Sequence, residues 1–260
     1  MIECGLPMAP ASPERQSARM RRILAIGGGG FLMEDAPSPI DTHALRITGK
    51  AKPRICFVPT PSGDLPEHVE KFYSAFAHAD CVPSHLGFFR KPSAGSVPLA
   101  SFRQHLLAQD AVYVGGGNTK SALGVWREWG ADAAFAEAYA AGVLLVGMSA
   151  GGMCWFEAGL TDSYWGAGYQ PLRCLGLLPG GCGVHYHSDP ERTARLHAAI
   201  AASAVPPSVA IDDFAAVVFE NEMLSSAYSW APGAGAFRVA LNDGRAVETA
   251  LVCQRLARAG

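Results

Sequence analysis

The stretch "LLVGMSAGGMCWFE", Leu144 to Glu157, decides how this chain is read. An apolar run stops at Gly147, and one serine, Ser149, follows among small residues. The pentapeptide "GMSAG" fits the pattern Gly-x-Ser-x-Gly. Small neighbours there tolerate a strained turn from a strand into a helix and lift the hydroxyl to the top of a sheet. The N-terminus of the following helix favours developing negative charge. Five residues match by chance often, so the weight lies in the context. "VLLV" supplies a buried strand before the serine, and "AGGMCWFE" reads as a helix after it. Ser149 is therefore the candidate nucleophile.

Outward from that stretch, short apolar runs alternate with amphipathic segments. "RILAIGGGG", "RICFVPTPSG", "VPSHLGFF" and "DAVYVGGGN" read as strands, and "PEHVEKFYSAFAHA", "ASFRQHLLAQ", "TKSALGVWREWG" and "DAAFAEAYAAG" as helices. Continuous apolar strands alternating with helices predict an α/β fold, a three-layer, doubly wound and mostly parallel sheet covered on both faces. Such sheets carry their sites at the carboxyl ends of the strands. Three glycine loops, 27–30, 115–117 and 147–152, fall at those ends and are expected to converge. Beyond residue 205 the pattern changes to short strands and turns, with a hairpin at "LNDGR", so the C-terminal part is β-rich. No linker divides residues 21–260, which are read as one domain. Residues 1–20, rich in Pro, Ser and charge, are read as a poorly ordered extension.

Bulk properties narrow the function. The 260 residues carry 21 basic and 23 acidic side chains, a net charge of −2, with no long run of either sign. That argues against a nucleic-acid or membrane-surface partner. Seven scattered cysteines without a Cys-x-x-Cys pair suggest neither a zinc site nor a disulfide framework, and they fit a reducing, cytoplasmic compartment. No secretory signal or membrane span is evident. "GGGGF" is not followed by a Rossmann helix, because two prolines interrupt "FLMEDAPSPID", and no Walker triplet occurs. No cofactor and no metal are expected.

A serine hydroxyl needs a base, and the base needs an orienting acid. In "GGCGVHYHSDPER", a short apolar strand places His185 and His187 just before a helix capped by Ser188 or Asp189. His185, nearer the strand, is the chosen base, with His187 in reserve. Between serine and histidine, Asp162 in the polar turn "GLTDSYWG" is the leading acid, with Glu157 in reserve and Asp189 less favoured. For the oxyanion, the amide of Ala150 is one donor, and Gly116 and Gly117 of "VGGGN" offer the other. Asn118 binds substrate or caps the next helix.

Four blocks in this order, "ILAIGGGGF", "VYVGGGNTKSAL", "GMSAGGMCWFEAGLTDS" and "LGLLPGGCGVHYHSDPER", resemble the peptidase E family of serine aspartyl dipeptidases and their cyanophycinase relatives. They span residues 23–192, with a looser match at "IDDFAAVVF". The resemblance implies a class I glutamine amidotransferase-like (flavodoxin-like) fold with serine in the place of cysteine. It carries the nucleophile onto Ser149, the base onto His185, the acid onto Asp162, and part of the oxyanion hole onto the "GGGN" loop. One departure is "CGVHY", where Val184 stands in place of a proline common among relatives. Arg192 and Arg195 are available cations for a substrate carboxylate, Arg192 being the chosen one. The implied activity is hydrolysis after an N-terminal aspartyl residue in small peptides. The rivals are a β-aspartyl or cyanophycin-like dipeptidase, an esterase using the same serine, and a non-catalytic binding member. Assembly as a homodimer is left open.

Overall fold

The computed structural model describes residues 19–35, 38–77 and 79–257. The extension expected for residues 1–20 lies outside them, apart from Arg19 and Met20. In chain order the elements are β1 (Arg22–Ile26), α1 (Pro39–Ile47), β2 (Arg54–Val58), α2 (Pro66–Phe76), β3 (Val82–His85), α3 (Phe102–Leu107) and β4 (Ala111–Val114). Then come α4 (Thr119–Trp129), α5 (Ala131–Ala140), β5 (Leu144–Met148), α6 (Ala150–Met153), β6 (Phe156–Thr161), β7 (Gln170–Arg173) and β8 (Leu178–Val184). The chain ends with α7 (Pro190–Ala201), β9 (Ser208–Ile211), β10 (Ala215–Glu220), β11 (Met223–Ser229), β12 (Ala236–Asn242), β13 (Arg245–Ala250) and β14 (Cys253–Arg255).

The main sheet has eight strands in the order β14-β11-β10-β1-β5-β4-β2-β3. From β1 to β3 the pairings are parallel, and β10 joins β1 antiparallel. Its central strands are buried on both faces, which is why they read as unbroken apolar runs. In β1, Ile23 and Ala25 enter one core and Leu24 and Ile26 the other. The first core holds Trp126 of α4 and Phe135 of α5. The second holds Ile40 of α1 and Phe72 and Phe76 of α2. In the second core Phe57 stacks on Phe72 at 5.0 Å between ring centroids, and Phe31 meets Phe57 edge-on at 5.2 Å. Such pairs add about 0.5–1.5 kcal/mol each beyond the area they bury.

A second sheet of six strands, β13-β12-β9-β8-β6-β7, packs against the first core through Phe156, Leu178 and Cys182. Helix α7 covers its other face with Leu196 and Ile200. From the sequence, the strand leading to His185, which is β8, and short strands beyond residue 205 were expected; β6 and β7 were not. The helix expected through Glu157 is the four-residue α6, and β6 begins at Phe156. Two glycines in α6 weaken it, and parallel pairing with β8 claims the segment that follows. A Cβ on Gly159 would lie 2.3 Å from Met153 Sδ, so α6 presses directly onto β6. The "LNDGR" hairpin forms as expected. Asn242 pairs with Arg245 around Asp243 (φ 50°) and Gly244 (φ 78°), two left-handed residues as this turn requires. No helix among the described residues is long and apolar enough to cross a membrane.

Beneath the first glycine loop, Asp41 is buried, with Tyr113 donating its hydroxyl to Oδ1 at 3.2 Å. Burial pushes its carboxyl up to about 7. The Tyr113 hydroxyl and the Phe31 amide oppose that shift, and the nearby Glu34 charge reinforces it. Because the folded pKa lies above the unfolded one, the folded state retains a proton that the unfolded chain releases. The stability this group contributes is complete below pH 4 and is lost as the pH rises towards 7. Thermal melts from pH 4.5 to 8 should show a falling trend in the wild type that is reduced in Asp41→Asn. An identical slope in both proteins would contradict this assignment.

Candidate active site

Ser149 lies between β5 and α6 with φ 55° and ψ −115°, a strained conformation for a residue with a side chain. Its neighbours explain why only small residues fit there. A Cβ on Gly147 would stand 2.0 Å from Gly151 O, and one on Gly151 would stand 2.2 Å from Val114 O. The turn is held by the Ser149 amide donating to Ile26 O at 3.0 Å and the Gly151 amide donating to Gly115 O at 3.2 Å. These bonds tie the serine to the ends of β1 and β4, so the three glycine loops do converge. Cys154 is a buried thiol whose pKa burial raises well above its ordinary value, and its Sγ donates to Gly151 O at 3.1 Å. It is part of the core.

His185 follows β8 directly, at φ 50°, and its Nε2 lies 2.8 Å from Ser149 Oγ. Its Nδ1 is hydrogen-bonded to Asp213 Oδ1. The carboxylate beside His185 is thus Asp213, and neither Asp162 nor Glu157, the acids expected from the sequence, contacts the ring. Sheet order supplies the reason. Strand β8 lies between β9 and β6, with Val184 opposite Ile211. The ring faces the β9 side, where Asp213 follows two residues after the strand. Asp162 follows β6 on the other side, is largely exposed, and has Oδ2 3.6 Å from Arg192 Nη2. Glu157 sits on β6 itself, is exposed, and accepts from the Gly180 amide of β8 at 3.0 Å. Asp189 caps α7 by accepting from the Glu191 amide at 2.9 Å.

The reserve base His187 points elsewhere. Asp212 Oδ1 accepts from its backbone amide at 3.1 Å and lies 2.9 Å from its Nδ1, and Asp212 Oδ2 accepts from the Gly235 amide at 3.0 Å. Asp212 precedes Asp213 and His187 lies two residues past His185, so this second pair braces the loop carrying Asp213 against the loop carrying His185. Burial raises the Asp212 carboxyl pKa, opposed first by His187 and then by the two amides.

The first glycine loop is packed against the pair. A Cβ on Gly28 would lie 2.0 Å from Asp213 Oδ1 and 2.7 Å from His185 Nδ1, and Gly28 O accepts from the Phe214 amide at 2.7 Å. Gly116 lies against Ser149, since a Cβ there would be 3.4 Å from Ser149 Cβ. Gly117, at φ 139°, leaves no room for a side chain beside Pro61 O. No hydrogen bond among the described residues engages the amides of Gly116, Gly117 or Ala150. Asn118 is occupied at both ends of its amide. Its Oδ1 accepts from Ser121 N at 2.8 Å, capping α4, and its Nδ2 donates to Ser163 O at 3.1 Å. It does not line the cavity, and of the two roles expected for it the structure shows the cap.

A cavity of about 220 Å³ opens over Ser149, bounded by Thr119, Met153, Thr161, Asp162, Val184 and Arg192 among others. Arg192, in the first turn of α7, is held at three points. Its Nη1 donates to Val184 O at 3.2 Å, its guanidinium lies 4.6 Å from the Tyr169 ring centroid, and its Nη2 makes the loose contact with Asp162. Its Nε is buried without a hydrogen-bond partner. Arg195 pairs instead with Glu191 at 3.3 Å on the helix surface. Among the described residues no group of three or more His, Cys, Asp or Glu could hold a metal ion. The arrangement can deprotonate a serine hydroxyl beside unengaged backbone amides, next to a cavity with one cation and one anion in its wall.

The profile of peptidase family S51 matches residues 23–227. The chain is 42% identical over 233 residues to the Bacillus subtilis (strain 168) uncharacterized peptidase YgaJ, covering 89% of this chain and 97% of that one. A peptidase from an acI-B1 Actinobacterium superposes with a TM-score of 0.66 at 14% identity, covering 91% of this chain and 96% of that one. A Listeria monocytogenes EGD-e protein described as a peptidase E superposes with a TM-score of 0.59 at 18% identity, covering 82% and 100%. At such identities the two structures speak for the fold.

Proposed function

We propose, from the premise that this chain belongs to peptidase family S51, that it is a serine peptidase cleaving the amide bond after an N-terminal aspartyl residue in dipeptides and short peptides. The observation that carries this reading is the line Ser149–His185–Asp213, with 2.8 Å between Ser149 Oγ and His185 Nε2, beside a cavity walled by Arg192. Ser149 Oγ attacks the scissile carbonyl as His185 Nε2 takes its proton. Asp213 holds the Nδ1 proton and stabilises the imidazolium. The amides of Ala150 and of Gly116 or Gly117 receive the oxyanion. His185 then protonates the departing amine, and water, activated by the same ring, hydrolyses the acyl-enzyme.

The two charges in the cavity wall match the two charges of an N-terminal aspartyl residue. Arg192, half-encased by Tyr169 and Val184, takes the side-chain carboxylate. Asp162, loosely paired at 3.6 Å and therefore displaceable, takes the α-ammonium. This assigns Asp162 a binding role in place of the triad role expected from the sequence. A free amino terminus within reach of Asp162 makes the enzyme an exopeptidase.

A substrate panel tests the reading. Asp-Leu should be hydrolysed well above Asn-Leu, Glu-Leu, β-Asp-Leu, N-acetyl-Asp-Leu and a p-nitrophenyl ester, and a fluorophosphonate probe should label the peptide containing Ser149. Absence of both turnover and labelling would refute it, and preferential cleavage of β-Asp-Leu would move the substrate to the rival class. Arg192→Gln should lower kcat/KM for Asp-Leu about 10- to 100-fold, the worth of one charge-assisted contact of roughly 1.5–3 kcal/mol. Asn-Leu should be far less affected, which steady-state kinetics on the pair would establish.

A further inference from the structure

The segment joining β6 to β7, "DSYWGAGY" from Asp162 to Tyr169, stands with both feet on the cavity wall. At its first foot, Ser163 O accepts from Asn118 Nδ2 at 3.1 Å and Ser163 Oγ accepts from the Thr119 amide at 2.9 Å, which joins the loop to the start of α4. At its second foot Tyr169 lies against Arg192 and donates to Asp189 Oδ2 at 2.7 Å. Between these anchored ends Trp165 is 95% exposed, although indole is among the most rewarding side chains to bury. Gly166 (φ 78°) and Gly168 (φ 63°) follow it, and nothing lies within 4 Å of where their Cβ atoms would be.

An aspartyl residue bound at Arg192 and Asp162 with its carbonyl at Ser149 occupies that part of the cavity, and the residue that leaves extends beyond it from the scissile bond. The cavity's apolar contributors, Met153, Leu160 and Val184, are all buried. Trp165, three residues past Asp162 of the cavity wall, is the exposed large apolar side chain of the loop anchored there. We propose that Trp165 forms the wall against which the side chain of the leaving residue packs, making it a specificity-determining residue for apolar leaving residues. This rests on the reading of Ser149 as nucleophile and of Arg192 as the aspartyl contact.

The test compares kcat/KM for Asp-Leu and Asp-Phe with that for Asp-Gly in the wild type, Trp165→Ala and Trp165→Phe. The ratio of Asp-Leu to Asp-Gly should fall about 10-fold or more in Trp165→Ala, as expected for truncating an aromatic contact. The loss should appear in KM, and Trp165→Phe should restore most of the ratio. A ratio unchanged in Trp165→Ala overturns the proposal. So does a shift in oligomeric state in that variant, which would make the indole a contact between copies. Titrating Ser149→Ala with the same dipeptides, followed by tryptophan fluorescence, separates this idea from the activity itself. Quenching by Asp-Leu that is stronger than by Asp-Gly and absent in Ser149→Ala/Trp165→Phe supports the contact even if turnover fails. Equal or absent quenching by both sinks it.

Discussion

Asp213→Asn is expected to lower kcat by about 10⁴-fold while leaving the fold intact, the order of magnitude seen when the acid of a serine–histidine–acid triad loses its charge and sets the wrong tautomer. The substitution is isosteric, and Asp213 is partly exposed, so the protein should melt near the wild-type temperature. The contrast that gives the experiment its force is Asp162→Asn. Asp162 makes no hydrogen bond to His185, and its described partner is Arg192 at 3.6 Å. Its loss should raise KM for an N-terminal aspartyl substrate and leave kcat within a few-fold of wild type. Kinetics showing the reverse, with kcat collapsing in Asp162→Asn and surviving in Asp213→Asn, would return the acid role to the residue that the sequence pattern favoured.

That reversal of expectation has a physical origin. Local signals locate elements whose character is set locally. The elbow at Ser149 follows from glycines that no larger residue can replace, and the hairpin at Asp243–Gly244 from two left-handed residues. The parallel sheet was legible because its strands are buried on both faces. The acid is a different kind of feature. It is fixed by which strand lies beside β8, and β9 reaches that place after the whole of α7. Searching the chain between serine and histidine therefore could not find Asp213. The usable signal was "SVAIDDF", an apolar strand ending in two carboxylates, because acids at the carboxyl end of such a strand face the site. Strand pairing also removed the helix expected through Glu157, since β6 is held by β7 and β8 and its helical propensity counts for little. Those two aspartates also divide their work. Asp213 meets His185, and Asp212 ties His187 and the Gly235 amide to the same loop.

The first glycine loop is where sequence and site meet most closely, and Gly28→Ala should show it. A methyl at Gly28 would stand 2.0 Å from Asp213 Oδ1 and 2.7 Å from His185 Nδ1 and Cε1, well inside contact distance. The backbone cannot easily retreat, because Gly28 O accepts from the Phe214 amide at 2.7 Å and Gly28 bridges Asp213 in parallel register. Relief must come from the two side chains, which breaks their hydrogen bond or pushes His185 off Ser149. A displacement of about 1 Å in such a constellation costs on the order of 100-fold, and losing the acid's contact outright approaches the Asp213→Asn value. We expect kcat to fall at least 100-fold, with the overpacking itself destabilising by about 1–3 kcal/mol. Gly124→Ala is the matched control: it sits in α4 with nothing within 4 Å of the added methyl, and a helical Gly→Ala exchange there should hold or raise stability and leave activity intact. If Gly28→Ala keeps kcat within a few-fold of wild type while remaining folded, the loop does not constrain the histidine–aspartate pair. The "GGGG" run would then have to be explained by the backbone at Gly27, where a Cβ would lie 2.2 Å from Asp212 O, rather than by catalysis.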